Sequence, residues 1–219
     1  MTEFEKSWLG ADLGHYRPCD GTYQLYPYDS LPPLDESQFT GAFDWLRPDS
    51  PALTADPFAE HRPGKRAFDT TALAASLAPA GLTLPPAFVT FIGDADLQAQ
   101  VPSCTACEWD LAEAAVPSPV EDGAYLIRFL RDQQDVAFWY LNLTPTAAAV
   151  VCSPILFGDI DLTGRDDEVV ANTWWSAPHF EQFVYRFWIE NTLWFNLDGG
   201  EADLTPEERA YLNHYSPAL

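Results

Sequence analysis

Basic residues are scarce in this sequence. Eleven lysines and arginines stand against 33 aspartates and glutamates, a formal net charge of −22 over 219 residues. A nucleic-acid-binding surface replaces phosphate counterions with cationic side chains, so a chain this acidic is not expected to bind nucleic acid. Attraction to an anionic membrane surface is disfavoured on the same ground. Long apolar runs are missing too; none approaches the roughly 20 residues that span a bilayer. The opening Met1-Thr-Glu-Phe-Glu-Lys-Ser-Trp8 has neither the basic nor the apolar segment of a signal peptide. The expected location is therefore the cytoplasm, with the four cysteines reduced. Catalytic signatures are also absent: no Gly-x-Ser-x-Gly, no His-Glu-x-x-His and no phosphate-binding glycine loop. The four histidines sit in unrelated contexts and propose no triad. No repeated strand–helix unit with a glycine-rich turn argues for a dinucleotide-binding sheet.

What the chain does have is apolar bulk. Hydrophobic residues make up 47% and aromatics 14%, which is foreign to acidic disordered tails. A chain of this length can bury one substantial core. The sequence divides into an irregular arm over residues 1–67 and a domain over residues 68–219. In the arm, Pro18, Pro27, Pro32, Pro33, Pro48, Pro51, Pro57 and Pro63 interrupt any long helix. Trp8, Tyr16, Tyr23, Tyr26, Tyr28, Phe39, Phe43, Trp45 and Phe58 call for burial, so the arm is expected to wrap the domain on aromatic anchors. The alternative is an arm that orders on binding a partner. Its basic cluster, Arg62, Lys65 and Arg66, reads as a local salt-bridge patch.

Regular patterning begins at Phe68. Asp69 or Thr70 can cap a helix over residues 71–78, and Pro86 suits the first turn of a second helix over residues 87–92, ended by Gly93. Phe88, Phe91 and Ile92 share one face of that helix. Residues 107–111, 124–130, 136–143 and 147–153 read as strands of an antiparallel meander, with Arg131-Asp-Gln-Gln-Asp135 as a hairpin loop. In the second strand Tyr125, Ile127 and Phe129 are expected on one side, and Leu126, Arg128 and Leu130 on the other. Residues 136–143 are almost wholly apolar, as in a central strand covered on both faces. Phe180, Phe183, Val184, Phe187, Trp188, Asn191, Trp194 and Phe195 follow the helical period, an aromatic stripe broken by one polar residue, over a long helix capped at Ser176 and stopped at Gly199-Gly200, laid across the sheet. Arg186 and Glu190 stand one turn apart on its polar flank. Thr205-Pro-Glu-Glu208 opens a terminal helix. The expected class is α+β: a mostly antiparallel twisted sheet of four to six strands packed against helices.

Two groups of residues are candidates for chemistry. Cys104-Thr-Ala-Cys107 has the gap of zinc knuckles and redox sites. Zinc needs four ligands, and only Cys19, Cys152, His15, His61, His179 and His214 are there to complete a set. Glu108 and Asp110 oppose a thiolate, so packing thiols are the expected role and no cofactor or metal is expected. Gly158-Asp-Ile-Asp-Leu-Thr-Gly-Arg-Asp-Asp-Glu168 misses the spacing of a calcium-binding EF-hand loop and reads as a solvated acidic loop. Such a loop is well placed to meet a basic partner, and Asp159, Asp161, Asp166, Asp167 and Glu168 are its candidate partner-binding residues. Arg128, a cation within an apolar strand, is expected to pair with Asp132 and Asp135.

Three segments together resemble a family. Leu84-Pro-Pro-Ala-Phe-Val-Thr-Phe-Ile92 resembles the opening helix of the SUKH superfamily. Arg128-Phe-Leu-Arg-Asp-Gln-Gln-Asp-Val-Ala-Phe-Trp-Tyr-Leu141 resembles its bacterial members' central hairpin, and Phe180-Glu-Gln-Phe-Val-Tyr-Arg-Phe-Trp-Ile-Glu190 their C-terminal helix. The likeness spans about residues 68–198 and leaves out residues 1–67 and the Cys104–Cys107 motif. It implies a non-enzymatic α+β protein-binding domain, similar to immunity proteins that neutralise basic toxins such as nucleases. A regulatory or scaffold protein of the same fold is one alternative. A zinc-binding or thiol-dependent enzyme centred on Cys104 and Cys107 is the other.

Overall fold

A single eight-stranded, mostly antiparallel sheet carries the α+β fold, with several helices packed against it. The computed structural model describes residues 4–46, 66–199 and 204–215. In chain order the elements are β1 (Glu5–Gly10), β2 (Gln24–Pro27), α1 (Thr71–Leu77), α2 (Pro86–Ile92), α3 (Ala95–Ala99), β3 (Glu108–Trp109), β4 (Val116–Pro117), β5 (Tyr125–Arg131), β6 (Phe138–Leu143), β7 (Ala148–Ser153), α4 (Asp166–Ala171), β8 (Trp174–Ala177), α5 (Phe180–Gly199) and α6 (Pro206–Asn213). The sheet runs β2-β1-β8-β7-β6-β5-β3, with β4 also on β5. Among the described residues only β1 and β8 pair in parallel.

The four strands expected from sequence are β3, β5, β6 and β7. The other four raise the sheet beyond the expected four to six. Two of them, β1 and β2, lie in the arm that was expected to be irregular, and β8 occupies the place of the expected helix cap. These strands are short, two to six residues each, and one pairing is remote: β1 meets β8 about 170 residues on, through Glu5 opposite Trp174 and Lys6 opposite Trp175. Such pairings leave no local periodicity to read. Ser176 therefore lies within β8, and His179 caps α5 instead, its Nδ1 accepting from the Gln182 N–H at 3.2 Å.

The meander carries one departure from alternation. Register shifts between Arg128 and Leu130, where β5 bulges against β6. Ile127, Phe129 and Leu130 all join the main core, and Leu126 alone of these faces the second cluster. A bulge adds a residue to one strand and so breaks the two-residue period. The hairpin loop appears as expected, with Asp135 at φ 58°, but β6 starts at Phe138 and Val136 is half exposed.

β6 is covered on both faces. Trp139, Leu141 and Leu143 join α2 and α5 in the main core, whereas Phe138 and Tyr140 pack with Phe157 and Val169 of the 154–172 segment. α5 is buried from Phe180 to Leu193, including its polar residues. Phe183 touches Trp8, Phe129 and Trp139 at ring-centroid distances of 5.6, 5.4 and 6.4 Å. Its other side meets the arm: Trp45 lies 5.0 Å from Tyr185 and 5.5 Å from Trp188. A helix with apolar residues all round belongs between layers, and here the sheet and the arm are those layers.

Several buried polar residues of α5 bind the arm and α6 rather than solvent. Glu190 Oε1 accepts from Arg17 at 2.6 Å and from the Tyr211 hydroxyl at 2.7 Å, and Oε2 from Arg17 at 2.6 Å and the Trp8 indole N–H at 2.7 Å. Arg186 donates to the Tyr211 hydroxyl and to the Pro32 carbonyl. Glu181 accepts from the Gly41 N–H and the Trp45 indole. Arg186 and Glu190 are thus buried, not on a solvated flank, and Glu190 takes its ion pair from the arm. Of the arm's expected anchors Trp8 and Phe43 are buried, and Tyr16, Tyr23, Tyr26, Tyr28, Phe39 and Trp45 pack against the main core. Phe58, Arg62, Lys65 and Gly200 lie outside the described residues. Arg66 stands over the Phe68 ring, 5.7 Å from its centroid.

Candidate functional site

The acidic segment rests on a built foundation. The Tyr140 hydroxyl donates to the Ile155 carbonyl at 2.7 Å and accepts from the Phe157 N–H at 3.2 Å. Ser153 Oγ donates to the Asn172 carbonyl and accepts from the Ile155 N–H, drawing the two ends of the 154–172 segment together. Val169 inserts its side chain into the second apolar cluster and seats α4 there. Loop residues thereby sit on a rigid sheet face, the usual place for recognition groups.

On that base Asp159, Asp161, Asp166, Asp167 and Glu168 are all exposed. The segment is not loop throughout, since Asp166, Asp167 and Glu168 form the first turn of α4. Three carboxylates there suit the positive end of the helix, which sequence reasoning overlooked in treating the stretch as a loop. Glu168 is held by Arg165, whose Nε lies 2.8 Å from Oε2, and this partnership keeps its carboxyl below the usual range. Asp161 Oδ1 accepts from the Thr163 N–H at 3.0 Å, and its carboxyl is likewise lowered. Both are anions at neutral pH.

Beside them lies an open groove of about 490 Å³. Val116, Pro117, Pro119, Phe157 and Ile160 give it apolar walls, and Asp161 and Asp166 stand in its lining. Gly158 lets the walls approach: its φ is +99°, and a Cβ there would meet Val116 Cγ1 at 2.9 Å. Asp159, Asp167 and Glu168 lie outside the lining, on the flanking turn and helix. No sequence signal pointed to the opposite wall, because Val116 and Pro117 join it only through the pairing of β4 with β5.

The cysteine motif has a different character. Asn191 Oδ1 accepts from the Cys104 N–H at 2.7 Å, and Ser103 Oγ from the Cys107 N–H at 2.9 Å, with Ala106 at φ 55° between them. Cys107 is buried, its sulfur 3.4 Å from the Tyr23 hydroxyl and 3.4 Å from Thr105 Oγ1. Burial pushes the Cys107 thiol up, away from the depressed values of reactive cysteines, and does the same to Cys152. None of the four cysteines is in a disulfide. Among the described residues no group of three or more histidines, cysteines and carboxylates is placed to hold a metal, and His61 lies outside them.

Arg128 pairs with Asp110 at 3.0 Å rather than with Asp132 or Asp135. Arg131 takes Asp135 at 2.9 Å and Glu108 at 3.0 Å, and the buried Asp132 accepts from the Tyr23 hydroxyl at 2.6 Å. These pairs tie β3, β5 and the arm together. Among the described residues no helix is long and apolar enough to cross a membrane.

No family model, curated protein or solved structure matches the chain.

Proposed function

We propose that this chain is a non-enzymatic binding domain that captures a basic protein, in the manner of an immunity protein neutralising a basic toxin such as a nuclease. The observation that carries this reading is a segregation of charge. Arg17 and Arg186 are buried in the core, and Arg128, Arg131 and Arg165 are each held by carboxylates of the chain itself. The acids Asp159, Asp161, Asp166 and Asp167 face solvent. The net charge of −22 raises encounter rates with a cationic surface and favours competition for a nuclease's nucleic-acid site, and these exposed acids concentrate part of it on one segment. The SUKH-like order of a proline-led helix, a central hairpin and a long aromatic helix supports the same reading. A cytoplasmic location without a cofactor accompanies it.

The test is stopped-flow association with the catalytically inactivated basic domain of a toxin encoded beside this chain. Raising salt from about 10 mM to about 1 M shortens the screening length from about 30 Å to about 3 Å. The association rate is expected to fall by about one to three orders of magnitude over that range. Replacing Asp166 and Asp167 by asparagine and Glu168 by glutamine together is expected to slow association with the circular dichroism spectrum unchanged. A rate indifferent to both salt and the triple replacement refutes the reading, as does a neighbouring gene product that the chain does not bind.

A further inference from the structure

The groove beside the acidic segment has apolar walls: Phe157 belongs to the second apolar cluster, Val116 packs against it, and Pro117 and Ile160 are exposed to solvent. Ile160 is 49% exposed in a segment otherwise rich in aspartate, and it lines the groove together with Val116, Pro117 and Pro119. Exposed single apolar residues are ordinary, but a walled apolar trough lined by two carboxylates is shaped for one kind of side chain. A long basic side chain has an apolar stem and a charged head, and it buries the first while presenting the second to an anion.

Resting on the binding role proposed above, we infer that this groove seats an arginine from an exposed loop of the basic partner. Its methylene stem lies against Val116, Pro117 and Ile160, and its guanidinium reaches Asp161 and Asp166. Arginine is the better occupant than lysine because its planar head offers five donors to two carboxylates, whereas an ammonium acts as a compact point charge. Charge complementarity thus selects the occupant, and the apolar walls make the seat more than a steering field. The surrounding acids Asp159, Asp167 and Glu168 set how fast the partner arrives, and the groove sets how long it stays.

Short peptides test the seat on the full chain by amide chemical shifts. The probes are acetyl-Ala-Ala-Arg-Ala-Ala-amide, the same peptide with neutral citrulline, and one with 2-amino-3-guanidinopropionate, which keeps the charge but lacks two methylenes. The arginine peptide is expected to give saturable shifts centred on Val116, Ile160, Gly164 and Asp166. Loss of two methylenes is expected to weaken binding by about tenfold, and loss of the charge by at least as much. An Ile160→Asp variant is expected to bind the arginine peptide more weakly although it gains a negative charge, with its spectrum otherwise unchanged. Equal affinity for the long and short guanidinium peptides, or tighter binding by Ile160→Asp, overturns the seat and leaves charge steering of the partner standing. Shifts absent from the groove with every peptide also overturn it. A toxin association rate indifferent to salt instead removes the broader binding role.

Discussion

Replacing Glu190 with glutamine removes the charge at the centre of a buried polar cluster that joins α5 to the arm and α6. The carboxylate is buried and receives four hydrogen bonds: two from Arg17, one from Trp8 and one from Tyr211. Charge-assisted bonds contribute about 1.5–3 kcal/mol each, but desolvating the carboxylate and the guanidinium takes back several kcal/mol per ion. The glutamine variant keeps the shape and leaves the buried Arg17 without its anion, and it turns an amide N–H₂ toward groups that donate. Breaking one side of a buried pair costs about 3–5 kcal/mol. For a domain of 5–15 kcal/mol that is a large share, equal to a fall in melting temperature of about 6–20 °C for a chain of this size. Urea unfolding followed by tryptophan fluorescence measures it. The Arg17→Met/Glu190→Met double variant is expected to lose less than the sum of the two single changes, by at least about 2 kcal/mol, because neither member of the pair is then left buried without the other; the buried Arg186 loses its neighbouring anion in the Glu190 single variant and in the double variant alike. The effect also has a pH signature. Burial raises the Glu190 carboxyl, but the Arg17 charge and hydrogen bonds outweigh it and hold the group below its ordinary value. A depressed carboxyl stabilises the folded state above its unfolded value of about 4.3 and ceases to do so as pH falls through the folded value. The gap between wild type and Glu190→Gln is therefore expected to narrow as pH falls below about 4. A glutamine variant within 1 kcal/mol of wild type, as an approximate threshold for a typical surface change, or an additive double variant, refutes the reasoning.

Two further outcomes test the core and the thiols. Phe183→Ala deletes a ring that is fully buried against Trp8, Phe129 and Trp139, and is expected to cost about 3–5 kcal/mol; a melting temperature equal to wild type contradicts the core described above. With a disulfide reagent on the folded protein, Cys107 and Cys152 are expected to lag behind the partly exposed Cys19 and Cys104 until denaturant is added; a Cys107 as fast as Cys19 contradicts the packing role.

Much of the middle of the chain was legible because its signals are local. The three- and four-residue spacing of Phe88, Phe91 and Ile92 marked α2, and all three are fully buried. The apolar run before Leu143 marked β6 as central, and it lies between β5 and β7. Thr205 and Glu208 form the capping box that their spacing announced. The candidate acids were legible as charge density, and structure added that three of them open a helix. Other features were hidden for want of a local signal. A bulge at β5 and a four-residue strand at β8 leave no periodicity longer than a turn. The groove's far wall exists only because β4 pairs with β5.

By itself the sequence determined the class of the protein: an acidic, aromatic-rich α+β chain with a meander, a long apolar helix and an exposed carboxylate segment. Composition and short-range spacing suffice for these, since each follows from the geometry of one element. Tertiary structure decided what the charges and the N-terminal segment do. Arg186 and Glu190 lie one turn apart on one helix, yet Glu190 takes its ion pair from Arg17, 173 residues earlier, once the arm closes over α5. A buried ion must find its counterion wherever the fold brings one, because low-dielectric surroundings penalise it otherwise. The sequence therefore told which residues are charged, and only the packing of the arm on the helix told which of them are buried and with what counterion.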